Sequence, residues 1–94
     1  MKYARHIFMA SRRSYNRWKC MIPVDYVVNQ KVYREFIHDI SEKGVFIGCK
    51  APPLAGDQIV LTFAWKQHYK SSGTVVRTDN DGFAVQFAQA ITIH

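Results

Sequence analysis

Apolar and polar residues alternate with a period of two along most of the chain after residue 17, which is the pattern of half-buried β-strands. The clearest case is the run 58–65, where one side carries Ile59, Leu61, Phe63 and Trp65. Comparable runs predict strands over residues 18–28, 31–40, 44–48 and 73–78, and a last strand over the residues that follow Gly82.

Turn-forming residues separate the predicted strands. Asn29-Gln30 and the run Asp79-Asn80-Asp81-Gly82 are typical of hairpin turns, whereas Pro52-Pro53 and Gly56-Asp57 bracket a longer loop. Residues 1–17 lack the strand pattern and leave coil and a short helix both open. Six short strands with regular turns predict an all-β fold: a small six-stranded antiparallel β-barrel over residues 18–94, preceded by a flexible arm over residues 1–17.

The composition fits one small globular domain. The chain has 94 residues, of which 48% are hydrophobic, so it can bury a core and is unlike a disordered segment. It has no apolar run near the ~18 residues of a membrane-spanning helix, and the run that follows His6 is too short for the core of a signal peptide. Without a secretion signal, Cys20 and Cys49 predict reduced thiols that serve packing, in a cytoplasmic protein.

The positive charge of the chain is concentrated at its N-terminus. There are 13 Lys and Arg residues against 7 Asp and Glu, a net charge of +6. Residues 1–20 hold six of the basic residues and no acidic one, so the remainder of the chain is neutral. An excess confined to one arm predicts that the arm contacts an anionic ligand.

Two short motifs carry suitable chemistry for such a ligand. Residues 13–17 have the form R-x-x-x-R, and residues 39–44 have the form D-x-S-x-x-G at the end of a predicted strand. The Arg13 and Arg17 guanidinium groups can form bidentate pairs with phosphate or with guanine O6 and N7. The Asp39 carboxylate can accept the N1–H and N2–H donors of guanine, a pair that adenine does not offer.

The serine and the glycine of the second motif allow two interpretations. Ser41 can bond to a base or a phosphate, and Gly44 permits close backbone approach or a positive φ. Alternatively, Asp39 and Ser41 only form an Asx- or Ser-type turn that ends the strand. The arginine motif ahead of them favours the first interpretation.

In this order and in this strand context, the two motifs resemble those of the PilZ domain. The resemblance runs over residues 12–87 and includes the Gly56-Asp57 turn before a long strand and the closing G-x-x-V-x-F over residues 82–87. PilZ domains are six-stranded barrels that bind the bacterial second messenger cyclic di-GMP, which lies between an N-terminal segment and the barrel. The resemblance therefore implies a stand-alone cyclic di-GMP receptor whose ligand-binding residues are Arg13, Arg17, Asp39, Ser41 and Gly44.

The C-terminus departs from the family pattern. Many PilZ domains have a helix after the last strand, but this chain ends seven residues after Phe87. We therefore expect little or no C-terminal helix, which puts in doubt any output that depends on one.

A third arginine precedes the first motif and bears on ligand stoichiometry. By the family resemblance, Arg12 lies beside the ligand. Cyclic di-GMP can self-associate into a dimer with stacked guanines and four phosphates, and a guanidinium at this position could pair with or stack on the second molecule. The sequence therefore predicts two cyclic di-GMP molecules per chain, unless Arg12 points to solvent.

Other chemistries have little support in the sequence. The four histidines share no ligand spacing, and Cys20 and Cys49 are too far apart for a zinc pattern, so no metal site and no cofactor are expected. Residues 79–82 begin like a calcium loop, but Ala88 occupies the position of the required glutamate. No nucleophile motif is present, and we expect a binding protein without enzymatic activity.

Two alternative functions remain. A basic arm beside a β-surface with aromatic residues is also typical of small nucleic-acid-binding barrels, and residues 81–87 weakly resemble an RNA-recognition strand. Against this, the charge excess does not continue past residue 20, and Phe83, Val85 and Phe87 share one face, as core residues do. A PilZ-like barrel that binds only protein would typically lack the arginine motif.

The arm and the barrel motif together suggest a conformational switch. The like charges of residues 1–17 predict a mobile arm, which the ligand would hold against Asp39 and Ser41. Charge-assisted contacts would have to exceed the entropic cost of ordering the arm. The resulting surface of arm, ligand and barrel would be recognised by a downstream protein that the sequence does not identify.

Overall fold

A computed structural model describes residues 16–92 of the chain, and within them six antiparallel strands close into a barrel. The strands are β1 (Trp18–Val28), β2 (Lys31–Ile40), β3 (Gly44–Gly48), β4 (Gln58–Trp65), β5 (Gln67–Asp79) and β6 (Gly82–Phe87). Their order around the barrel is β1-β2-β3-β6-β5-β4, and pairing of β1 with β4 closes it. The predicted six-stranded antiparallel barrel is confirmed, and residues 88–92 after β6 form no helix.

Most of the predicted arm lies outside the described residues. Of residues 1–17, the structure describes Asn16 and Arg17. Arg12 and Arg13 are among the residues that it does not describe. The predicted mobility of the arm, and the choice between coil and a short helix, remain predictions.

One strand is longer than its sequence pattern indicates. β5 begins at Gln67, whereas apolar alternation predicts a start at Gly73. The added segment is mostly polar, but its backbone pairs with β4 through a tight turn at Lys66, whose φ is 72°. The Tyr69 ring stacks on Phe63 at 5.1 Å between centroids. Backbone pairing and this one aromatic contact extend the hairpin where side-chain periodicity gives no signal.

The barrel interior is filled by the predicted apolar faces of the strands. Tyr26 and Phe83 meet edge to face at its centre, with ring centroids 5.4 Å apart. Cys20 and Cys49 pack against this core, as predicted. The core consists of Ile22, Val24, Tyr26, Val28, Ile37, Ile40, Val45, Ile47, Ile59, Leu61, Phe63, Val75, Phe83, Val85 and Phe87.

Both predicted hairpin turns are present. Asn29 and Gln30 have φ of 52° and 68°, the paired positive values of a two-residue turn that matches strand twist. At the other turn, the Asp79 carboxylate accepts hydrogen bonds from the backbone N–H groups of Asp81 and Gly82, at 2.8 and 3.1 Å. This carboxylate therefore serves the β5–β6 hairpin.

Three β-bulges occur at one level of the barrel. Each adds a residue to one strand relative to its neighbour, between Lys19 and Ile22, between Ile37 and Asp39, and between Val75 and Arg77. A bulge interrupts strict alternation, because the residue after it faces the side opposite to the one expected from period two. Asp39 and Arg77 are consequently directed to the outer surface, although two residues earlier Ile37 and Val75 are buried in the core.

Beyond the bulges, the strand registers align five residues across the outer face of the barrel. We call this set, Lys19, Asp39, Phe46, Ala84 and Arg77, the outer row. Adjacent members are cross-strand partners on β1, β2, β3, β6 and β5 in turn. The outer row places a carboxylate and an aromatic ring between two cations, and it is the surface on which the candidate site is built.

Candidate functional site

The turn between β2 and β3 is organised by the Ser41 hydroxyl. Ser41 is buried, and its Oγ accepts hydrogen bonds from the backbone N–H groups of Lys43 and Gly44, at 3.1 and 3.2 Å. The hydroxyl lies 3.4 Å from the Gly44 carbonyl oxygen, to which it donates. It is thus engaged in the Ser-type turn that the sequence left open as an alternative, and its predicted contact with a base or phosphate stays a prediction.

Gly44 is required by a close approach of two backbones. A Cβ at this position would lie 2.0 Å from the Val85 carbonyl oxygen on β6. Its φ is not positive, so of the two reasons considered for a glycine here, close approach is the one that applies. The backbone that Gly44 approaches is that of β6, and this close packing holds the β2–β3 turn next to the outer row.

Replacing Gly44 with alanine should therefore destabilise the barrel even without ligand. The new methyl group forces β3 and β6 apart, for which we expect a loss of about 3 kcal/mol in the free energy of unfolding, the upper range for overpacking. Gly48→Ala is the matched control, because there the Cβ would meet the His38 ring, a side chain that can turn away. Urea denaturation should show the control losing less than about 1.5 kcal/mol. Equal losses in the two variants would contradict this reason for Gly44.

The Asp39 carboxylate holds an unused acceptor. Its Oδ1 atom is buried and has no hydrogen-bond partner among the described residues. Of the described cations, the nearest is the Arg17 guanidinium, whose Nη1 atom lies 3.7 Å away, beyond hydrogen-bond distance. A buried acceptor without a donor costs about 1–3 kcal/mol. The site thus contains an oxygen to which a ligand N–H could donate.

Two hollows meet beside these residues. The turn hollow, of about 360 Å³, is lined by Arg17, Ser41, Lys43, Gly44 and Arg77 together with apolar residues of β3, β5 and β6 and with Gln86. The row hollow, of about 480 Å³, is lined by Lys19, His38, Asp39, Phe46, Arg77, Asp79 and Asp81. The structure therefore brings together the predicted site residues that it describes: three line the turn hollow and Asp39 lines the row hollow.

A larger hollow lies farther along the barrel surface. Its volume is about 620 Å³, and it shares His38 and Asp81 with the row hollow. Among the described residues, Lys50 is the one Lys or Arg that lines it, and neither Arg17 nor the β2–β3 turn contributes. Because it lacks the motif residues, we place the candidate site at the two smaller hollows.

Arg77 belongs to the site although the sequence did not indicate it. It lines both hollows, and its Cζ atom lies 5.8 Å from the centroid of the Phe46 ring. Strict alternation along β5 would place residue 77 on the same side as the buried Val75. Only the bulge directs it outward, and a bulge has no signal in the period of this strand.

The thiol of Cys20, next to Lys19 of the outer row, has a shifted pKa. Burial and the nearby Asp39 carboxylate raise the pKa of this thiol, which favours its protonated, less nucleophilic form. Within residues 16–92, no group of three His, Cys, Asp or Glu side chains is arranged to hold a metal ion. The site therefore presents cations, an acceptor and an aromatic ring for a ligand.

The strand that resembles an RNA-recognition strand is turned inward. Phe83, Val85 and Phe87 lie in the core with exposed fractions of 0%, 2% and 5%. They offer no stacking platform for bases, which removes the feature of β6 that favoured a nucleic-acid-binding barrel.

Within residues 16–92, no helix is long and apolar enough to cross a membrane.

Comparison with known proteins agrees with this geometry. A family model, the PilZ domain, matches residues 11–94. Among solved structures, the Bacillus subtilis inhibitor of motility MotI/DgrA is similar in fold, with a TM-score of 0.71 and 15% sequence identity. The match covers 86% of this chain and 44% of that one, so this chain spans less than half of the neighbour's length. No curated protein sequence matches the chain.

Proposed function

The chain belongs to the PilZ domain family, and from that premise we propose that it is a cyclic di-GMP receptor that acts as an adaptor, without catalysis, in the bacterial cytoplasm. One observation carries the proposal: the Asp39 Oδ1 is buried, accepts no hydrogen bond from residues 16–92 and lies 3.7 Å from the Arg17 guanidinium beside the β2–β3 turn. An acceptor beside a guanidinium suits guanine, which has N–H donors on one edge and acceptors on the other.

The remaining contacts follow from the charges around the site. Among the described residues, the turn hollow has Arg17, Lys43 and Arg77 along its wall and no carboxylate, which favours phosphate. Arg13, four residues before Arg17, adds a second guanidinium fork from the arm. Asp39, Arg13 and Arg17 therefore bind base and phosphate, while Ser41 and Gly44 hold the turn in place beneath them.

A panel of ligands tests this function. In differential scanning fluorimetry of the full chain, cyclic di-GMP should raise the melting temperature by several degrees, because it binds only the folded state. Cyclic di-AMP, GMP and single-stranded oligonucleotides should each have a much smaller effect. A comparable shift with oligonucleotides would instead support a nucleic-acid-binding barrel, and no shift with cyclic di-GMP would contradict the proposal.

Ligand binding also orders the N-terminal arm onto the barrel. Arg17 begins this connection, since it already faces Asp39 across 3.7 Å at the entrance to β1. Two phosphates offset the positive charge of the arm, so the bound state removes repulsion among its arginines. The composite surface of arm, ligand and barrel is the one that an unidentified downstream protein recognises.

Hydrogen exchange measures this ordering. We expect amides in residues 5–17 to exchange quickly in the free protein and to slow with saturating cyclic di-GMP, because the bound arm gains backbone protection. The paired amides of β4 serve as the internal control and should change little. Protection of the arm that is the same with and without ligand would contradict arm ordering, even if binding is real.

The third arginine sets the stoichiometry in this proposal. Arg12 pairs with or stacks on a second cyclic di-GMP molecule, so the wild-type chain should bind two molecules. Arg12→Leu should bind one and keep its affinity for it, because leucine can neither pair with phosphate nor stack as a cation. Isothermal titration of both proteins gives the numbers. A wild-type stoichiometry of one, or no change in the variant, would contradict this role.

A further inference from the structure

Arg77 is placed toward the candidate site by the local structure of β5. The bulge between Val75 and Arg77 directs this side chain outward, beside the outward-facing Val76. Bulges commonly re-aim side chains next to functional sites. The residue is exposed, and among the described residues it lines both the turn hollow and the row hollow.

The guanidinium lies close to an aromatic ring two strands away. β6 lies between β5 and β3, so the Arg77 side chain crosses over β6 to reach the Phe46 ring, at 5.8 Å from its centroid. The row member between them is Ala84, which is only 8% exposed although it faces outward. A small residue there leaves room for the crossing side chain. Arg77 therefore has a supporting surface beneath it and open space above.

The two hollows differ in charge and therefore suit different parts of the ligand. Cations line the turn hollow, whereas the row hollow also contains the carboxylates of Asp39, Asp79 and Asp81. Carboxylates repel phosphate and accept N–H donors, so a guanine base fits the row hollow and its phosphate fits the turn hollow. Arg77 lines both hollows, so it lies where they meet, beside the position of the base on the outer row.

From this arrangement we propose that Arg77 is a ligand-binding residue: its guanidinium stacks on a guanine base of cyclic di-GMP in the row hollow, and Phe46 supports it from below. The inference deepens the proposed function and rests on it. The two contacts supplement each other, because the planar Arg77 guanidinium would stack on the face of the guanine whereas Asp39 would bind its edge.

Calorimetric titration of four variants tests the role. Arg77→Ala should weaken cyclic di-GMP binding by about tenfold or more, the size of one lost base stack. Arg77→Lys should be weakened nearly as much, because an ammonium keeps the charge but not the plane. Phe46→Leu should lower the affinity less, since it removes only the support. Lys70→Ala, the same charge loss elsewhere on β5, is the matched control and should stay within about twofold of wild type.

The direction of an NMR shift separates stacking from phosphate pairing. In a proton–nitrogen correlation spectrum, the Nε–H signal of Arg77, identified by its absence in Arg77→Lys, should move upfield on ligand addition through the guanine ring current. A downfield shift, or full affinity in Arg77→Lys, would overturn stacking. Full affinity in Arg77→Ala, or an equal loss in Lys70→Ala, would overturn the inference while leaving the proposed function intact. A wild-type chain that does not bind would overturn both.

Discussion

Arg17→Ala and Arg13→Ala are each expected to weaken cyclic di-GMP binding by at least about tenfold, since a charge-assisted hydrogen bond contributes about 1.5–3 kcal/mol. The fold should survive in both variants. Arg17 precedes β1 and its side chain is 40% exposed, so its removal leaves no cavity. Its ion pair with Asp39 is long and partly solvated, and such pairs contribute little to stability.

Two further variants make this first prediction specific. Arg17→Lys should not restore full affinity, because lysine lacks the planar fork that matches phosphate and guanine. Lys31→Ala, which removes an exposed cation at the start of β2, is the control for net charge and should bind like wild type. Calorimetry supplies the affinities and circular dichroism the fold. Retained affinity in both alanine variants, with unchanged dichroism, would contradict the assignment of the arginine motif.

Asp39→Asn is expected to have the second large effect, on the choice of base. Asparagine keeps the volume but presents one acceptor and an N–H₂ donor, so it no longer matches the two N–H donors of guanine. We expect cyclic di-GMP binding to fall by at least about tenfold, with a smaller fall for cyclic di-AMP, so that the preference for guanine shrinks. Titrating both dinucleotides into wild type and variant measures the ratio.

The same substitution should leave the free protein about as stable as before. The Oδ1 atom that it neutralises is buried without a hydrogen-bond donor among the described residues, so little favourable energy is lost. We expect the free energy of unfolding to fall by no more than about 1 kcal/mol in urea denaturation, the value of an exposed ion pair. A large loss of stability would show that Asp39 serves the fold, and an unchanged base preference would contradict its role toward guanine.

The strands could be predicted closely because one barrel face is buried. Burial imposes a period of two, and β1, β2, β3 and β4 run over the residues that this period indicates. The first half of β5 could not be predicted in this way, because Gln67 to Ser72 contribute backbone pairing rather than an apolar face.

The site was predictable in its residue types and less so in its geometry. The motif indicated both Asp39 and Ser41, but their environments differ. The Asp39 carboxylate has a buried oxygen that accepts no hydrogen bond among the described residues, whereas the Ser41 hydroxyl is bonded within its own turn. Arg77 gave no signal, because its outward direction depends on a one-residue bulge relative to β6. Such register shifts arise from pairing between strands, which the period of a single strand does not record.

The most direct test of the proposed function is isothermal titration of the full wild-type chain with cyclic di-GMP, alongside an identical titration with cyclic di-AMP. If the chain is a cyclic di-GMP receptor, the first titration should saturate with a dissociation constant on the order of micromolar or tighter, and the second should give little heat. Absence of saturable binding of cyclic di-GMP, or equal affinity for both dinucleotides, would contradict it.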